Sequence, residues 1–94
     1  MDVVDLTKVE KIISNPKKIP SVIVDNLQVW AEQVEKFGLH VVQKVPRWKD
    51  HKLLGTRKHQ RAIKLSYQWR AIYEVEENGP VNIVHIEEVT PHDY

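Results

Sequence analysis

The apolar residues Ile23, Leu27, Trp30, Val34 and Phe37 recur at intervals of four, three, four and three, a spacing that stacks along one face of an α-helix. A stripe this wide has to be buried against another layer. Asp25, Glu32, Glu35 and Lys36 take the solvent side. Ser21, after Pro20, is placed to cap the start, and Gly38 supplies the left-handed residue that closes the end. Upstream, Thr7 and Glu10 have the spacing of a capping box, and Pro16 stops that helix soon after Ile13. So short a helix is marginal alone and must dock on something larger. The two helices, joined by residues 15–20, read as an αα-hairpin. Val3, Val4 and Leu6 ahead of them suit a short first strand or an extended arm.

The period changes to two in the last third of the chain. Ile63 and Leu65 point one way, Ala62 and Lys64 the other. After a break near Ser66, Ala71, Tyr73 and Val75 share one face, and Arg70, Ile72 and Glu74 share the opposite one. Asn78-Gly79 is a strong hairpin signal, residues 81–89 form the next strand, and Pro91 ends it. Between the halves, residues 40–56 have a mixed pattern. Pro46 argues against a regular element there, so a loop is expected, with a strand turn near residues 41–45 and a bend at Gly55. The fold class is α+β: one domain over residues 1–94, with an N-terminal helical hairpin packed on one face of a small, mainly antiparallel sheet.

Charge divides the chain unevenly. Residues 44–70 hold nine basic side chains and one acidic one, Asp50, for a formal charge of +8, while the other 67 residues carry −7. The net +1 hides a polarised molecule, which suggests a polyanionic partner such as nucleic acid. The bland alternative is a solvated charged face. Lys64 and Arg70, however, fall on strands and should both project from a sheet face that the helices leave bare. Like charges brought together there repel unless an anion meets them. There is no cysteine, which excludes a disulfide framework and thiolate metal sites and fits a reducing compartment. The start lacks the pattern of a signal peptide, and no apolar run approaches a bilayer span of about 20 residues, so a cytoplasmic protein without a membrane partner is expected.

The five histidines show no metal-ligand spacing. His85 and Glu87 read as a surface pair. Trp30 belongs to the helix stripe, and Trp69 helps to pack the sheet. Trp48, inside the basic run, is either a base-stacking platform or a cap on the core. The terminal Pro91-His92-Asp93-Tyr94 is either frayed or an acid–base group. No P-loop, glycine-rich dinucleotide motif or Ser-His-Asp order is present.

The run Leu53-Leu54-Gly55-Thr56-Arg57-Lys58-His59-Gln60-Arg61-Ala62-Ile63-Lys64-Leu65, then Trp69-Arg70-Ala71-Ile72-Tyr73-Glu74-Val75, then the final His92-Asp93-Tyr94, resembles the RelE/ParE superfamily of bacterial type II toxins, and within it the RelE and HigB branch. The likeness covers nearly the whole chain. It implies a RelE-like, microbial-ribonuclease-type fold and a ribosome-dependent mRNA endoribonuclease. Such an enzyme uses no metal or cofactor. It works in the ribosomal A site, where the ribose 2′-hydroxyl attacks the adjacent phosphate. On this resemblance Arg70 holds the phosphate, Lys64 supplies a second cation, and His92 and Tyr94 occupy the acid–base position with Asp93 to orient them. Lys52, Arg57, Lys58, Arg61 and Trp48 would bind RNA. Several relatives place a glutamate base just before the Leu-x-Gly turn, where this chain has His51-Lys52. His51 could replace it, or catalysis could rest on substrate positioning. A cognate antitoxin is implied as partner, with no direct DNA binding by the toxin alone. The alternatives are a ParE-like inhibitor of DNA gyrase, which shares the fold and cleaves nothing, and a non-catalytic RNA- or ribosome-binding domain.

Overall fold

A computed structural model describes residues 1–91. Strand β1 is Asp2–Asp5. A 3-10 turn at Thr7–Val9 leads into a single α turn, α1 (Glu10–Ile13), and then α2 (Ser21–Phe37) and α3 (Leu39–Val42) follow. A second 3-10 turn at Pro46–Trp48 precedes β2 (His51–Lys52), and a third at Gly55–Arg57 precedes β3 (Arg61–Lys64). The long hairpin of β4 (Trp69–Asn78) and β5 (Val81–Pro91) completes the described chain. The strands form one mixed sheet in the order β1-β5-β4-β3-β2, with β1 parallel to β5 and every other pair antiparallel. The α+β class is therefore as expected. The expected N-terminal helical hairpin is not seen as such: only one 3-10 turn and one α turn precede α2, with Pro16 following closely.

The stripe on α2 packs onto the sheet as its spacing requires. Ile23, Leu27, Trp30 and Val34 are buried with Ala31, together with Ile63, Leu65, Ala71, Tyr73, Val84 and Ile86 from the strands. The Trp30 and Tyr73 rings meet at 5.3 Å between centroids. Phe37 departs from the stripe: it lies at the last turn, beyond the sheet, and is 55% exposed.

The caps also differ from the sequence reading. Thr7 and Glu10 form no capping box. Asp5 takes that role, its Oδ1 accepting from the Thr7 backbone N–H at 2.9 Å and the Thr7 hydroxyl at 2.7 Å. The two Thr7 bonds, with help from His85, hold the Asp5 carboxyl down at about 2. Ser21 is the first residue of α2 and Pro20 stands at the cap position, with no side-chain bond there. Gly38 does close α2 with a positive φ of 90°. The expected loop then contains α3, whose Leu39 N–H donates to Asp2 Oδ2 at 2.6 Å. That bond lowers the Asp2 pKa and ties the first strand to the helical layer.

The β4–β5 turn is Gly79-Pro80, one residue later than the Asn78-Gly79 signal, since Asn78 and Val81 are register partners. Gly79 has φ 62°. Pro80 cannot take a positive φ, so a type II′ turn is selected. On the edge strand β1, Glu35 Oε2 accepts from the Val4 N–H at 3.1 Å. This blocks a backbone group that another strand could otherwise pair with.

Candidate nucleic-acid interface

Register places the basic strand residues. Lys64 stands directly opposite Arg70, and Arg70 opposite Thr90. The next row is His51, Ala62, Ile72 and Glu88. Because Ile63 and Ala71 between these rows are in the core, alternation puts His51, Lys64, Arg70, Glu88 and Thr90 on the face turned away from α2. This is the face expected for Lys64 and Arg70, but it is not bare. Ala62 and Ile72 are fully buried, and residues 53–60, between β2 and β3, form a strap tied to strand side chains on this side of the sheet. Arg57 pairs with Glu88, Gln60 Nε2 donates to Glu74 Oε1 at 2.7 Å, and His59 lies 3.2 Å from Glu74. A glycine and a two-residue strand gave little hint of this cover.

Arg70 is the least satisfied polar side chain of the sheet. Its Nε is buried and has no hydrogen-bond partner among the described residues. A salt bridge to Glu87 does not form, because Lys8 Nζ donates to that carboxylate at 2.6 and 2.8 Å. Glu87 is the extra residue at the register shift between Ile72 and Tyr73, and the bulge fits its turn toward Lys8. A buried donor of an always-charged group is costly to leave unpaired. It becomes useful when an anion arrives to accept from it.

The other basic residues divide sharply. Arg61 is neutralised from within: its Nε donates to Asp50 Oδ1 at 2.6 Å, and the Asp50 side chain is wholly buried. The Tyr73 hydroxyl donates to the other Asp50 oxygen and accepts from Gln43 Nε2 at 3.0 Å. Burial, and then the Asp50 carboxylate, push the Tyr73 phenol far above its ordinary value. Arg61 thus spends its Nε on a structural ion pair inside the protein. Lys52 and Lys58 are exposed, and neither has a carboxylate partner among the described residues.

Trp48 is fully buried, and its indole N–H donates to Gln33 Oε1 at 2.9 Å. The stacking role is therefore corrected: Trp48 is core, and Arg47 covers its ring from outside at 4.4 Å. The exposed aromatic near the cations is Tyr67, in the β3–β4 turn, with Lys64 Nζ 5.7 Å from its ring centroid. The sequence signal for it was an aromatic between two basic strand residues, at a position where no packing period applied.

His51 is exposed, and its Nδ1 lies 2.9 Å from the Lys49 carbonyl oxygen. A carbonyl can only accept, so Nδ1 donates in this contact, and in a neutral ring Nε2 is then the acceptor. His92, Asp93 and Tyr94 lie outside the described residues. Pro91, which precedes them, pairs with Trp69, the neighbour of Arg70. His85 has different partners from those expected. It bridges Asp5 on β1 and Glu76 on β4, each at 2.8 Å, and Glu87 takes no part.

No protein-family model matches the sequence, and no curated protein matches it. Solved structures do. A YoeB/ParE toxin from Agrobacterium tumefaciens superposes with TM-score 0.69 at 12% identity, covering 98% of each chain. YafQ from E. coli gives 0.69 at 15% identity, over 98% of this chain and 92% of that one. YoeB in a heterotetrameric YoeB-YefM toxin-antitoxin complex from Staphylococcus aureus gives 0.65 at 13% identity, over 100% and 97%. The chain has the RelE/ParE toxin fold. Within this RelE/ParE fold, the Lys64–Arg70 row and Tyr67 sit together at the end of the sheet where β5 ends at Pro91.

Proposed function

We propose that this protein is the toxin of a type II toxin–antitoxin pair and a ribosome-dependent mRNA endoribonuclease. The observation that carries the reading is the buried Nε of Arg70, without a hydrogen-bond partner among the described residues, directly opposite Lys64. Two cations held at one point of a sheet, one with an unused donor, suit a phosphate whose charge grows in a transition state. Overall likeness to proteins described as toxins supports it.

In this reading the 2′-hydroxyl loses its proton to a base, and its oxygen forms a bond to phosphorus. The P–O5′ bond breaks, and the departing oxygen takes up a proton. The products are a 2′,3′-cyclic phosphate and a 5′-hydroxyl. Arg70 and Lys64 hold the equatorial oxygens. His51 Nε2 is available as the base, with His92 and Tyr94 as the further acid–base candidates. Lys52 and Lys58, exposed beside this row, contact flanking phosphates. An antitoxin with an acidic segment would cover the same cations.

The test is mRNA cleavage on translating ribosomes beside a gyrase supercoiling assay. Cleavage ending in a 2′,3′-cyclic phosphate supports the nuclease. Loss of supercoiling without cleavage would assign the fold to a ParE-like gyrase inhibitor. RNA binding without either effect would leave a non-catalytic RNA-binding domain.

A further inference from the structure

Arg70 and Glu88 are diagonal neighbours on one sheet face, since Arg70 pairs with Thr90 and Ile72 with Glu88. Such positions lie about 7–8 Å apart, within reach of two long side chains. An arginine and a glutamate so placed should attract each other, yet Arg70 has no carboxylate partner among the described residues. Glu88 is instead held by Arg57 Nη2. Arg57 is itself fastened: its Nε donates to Gln60 Oε1 at 2.7 Å, and Gln60 reaches Glu74 on β4. The strap thus carries its own cation to the carboxylate that stands diagonal to the Arg70 guanidinium.

We propose that Arg57 is a positioning residue: by holding Glu88, it keeps that carboxylate off Arg70 and leaves the Arg70 guanidinium open to an RNA phosphate. The inference rests on the nucleic-acid reading only for the identity of the anion. It replaces the expectation that Arg57 itself grips RNA. With its Nε on Gln60 and its Nη2 on Glu88, Arg57 already has most of its charge answered within the protein.

The two roles give opposite results in a double substitution. Affinity for a short labelled single-stranded RNA at low salt is measured on the full chain. Arg57→Ala frees Glu88 to take Arg70 and weakens binding by about threefold to fivefold, the scale of a half-exposed ion pair. Adding Glu88→Gln returns affinity to the wild-type level, and Glu88→Gln alone keeps it there. Arg57→Ala with Glu77→Gln restores the same net charge at a distant exposed position and gives no rescue. The NMR signal of the Arg70 Nε–H group reports directly: it shifts in Arg57→Ala and returns in the Glu88→Gln double variant. Arg57→Gln, which can still bond Gln60, repeats the series should the alanine variant fold poorly. A double variant that stays as weak as Arg57→Ala, or an Arg57→Ala that binds normally with an unmoved Arg70 signal, overturns the proposal. Cleavage is scored separately. Rescue of binding without cleavage in any variant keeps this inference and removes the nuclease.

Discussion

Lys64 and Arg70 face each other directly across β3 and β4, two cations at one step of the ladder. Like charges so placed destabilise a sheet, and here no carboxylate among the described residues relieves them. The arrangement has a cost to folding and a use in binding, so stability and activity should separate cleanly at Arg70. Arg70→Ala should melt at or slightly above the wild-type temperature and lose cleavage by about 100-fold or more, the scale of one preorganised charge-stabilising group. Arg70→Lys should recover part, because an ammonium lacks the planar fork. Thermal melting and ribosome cleavage on the same preparations check this. A much lower melting point with normal cleavage would make Arg70 structural.

Binding should follow the exposed cations and not the count of basic residues. Charge reversal at Lys52 or Lys58 should weaken RNA binding and flatten its dependence on salt. Reversal at Lys8, which Glu87 already neutralises, or at Lys36 on α2 should do much less. A salt titration of each variant decides it, and equal losses from both sets would place the RNA elsewhere.

Asp50 should matter for stability out of proportion to its place in a basic loop. Its wholly buried carboxylate accepts from Arg61 and Tyr73. Asp50→Ala removes the acceptor of both donors and should cost about 1.5–3 kcal/mol, the range for hydrogen bonds to charged groups. Urea unfolding measures it. The same change should also weaken binding through His51 and Lys52, which follow directly in the chain.

His85 predicts a pH dependence. Hydrogen bonds to Glu76 and then Asp5 raise its pKa above the ordinary 6.5. With both ring nitrogens facing carboxylates, only the imidazolium can donate to both. Glu74 and Glu87 line the same hollow, with Lys8 as its cation. The folded state therefore holds the proton more tightly than the unfolded chain. The resulting stability is fully present below about pH 6.5 and is lost as pH rises through the raised folded value. Melting temperature should fall across that window, and His85→Gln should flatten the profile. An unchanged slope in the variant would exclude His85 as the source.

Removal of residues 92–94 tests the terminal acid–base expectation. They follow the Pro91–Trp69 pair beside Arg70. If His92 or Tyr94 moves the proton, the truncated protein should lose about 10²–10⁴-fold in cleavage while binding RNA nearly as well. Full cleavage by the truncated chain would leave His51 as the remaining base.

The sequence by itself determined the layers. The 4-3-4-3 stripe on α2 could be satisfied only by burial, and Ile23, Leu27, Trp30 and Val34 are buried. Alternation in β3 and β4 fixed which residues share a face, so Lys64 and Arg70 could be placed together before any contact was known. Periodicity is a local property, and a local pattern can be read along the chain. What only the tertiary structure decided was which charges are free. Nine basic residues looked alike in the run from 44 to 70, yet buried Asp50 neutralises Arg61, Glu88 holds Arg57, and Arg70 has a donor that no described residue uses. Trp48 went to the core and Tyr67 to the surface for the same kind of reason. The partners that make these choices lie 11 to 31 residues away in the chain. An ion pair or a buried indole follows no period, because its geometry exists only once distant strands and loops have come together.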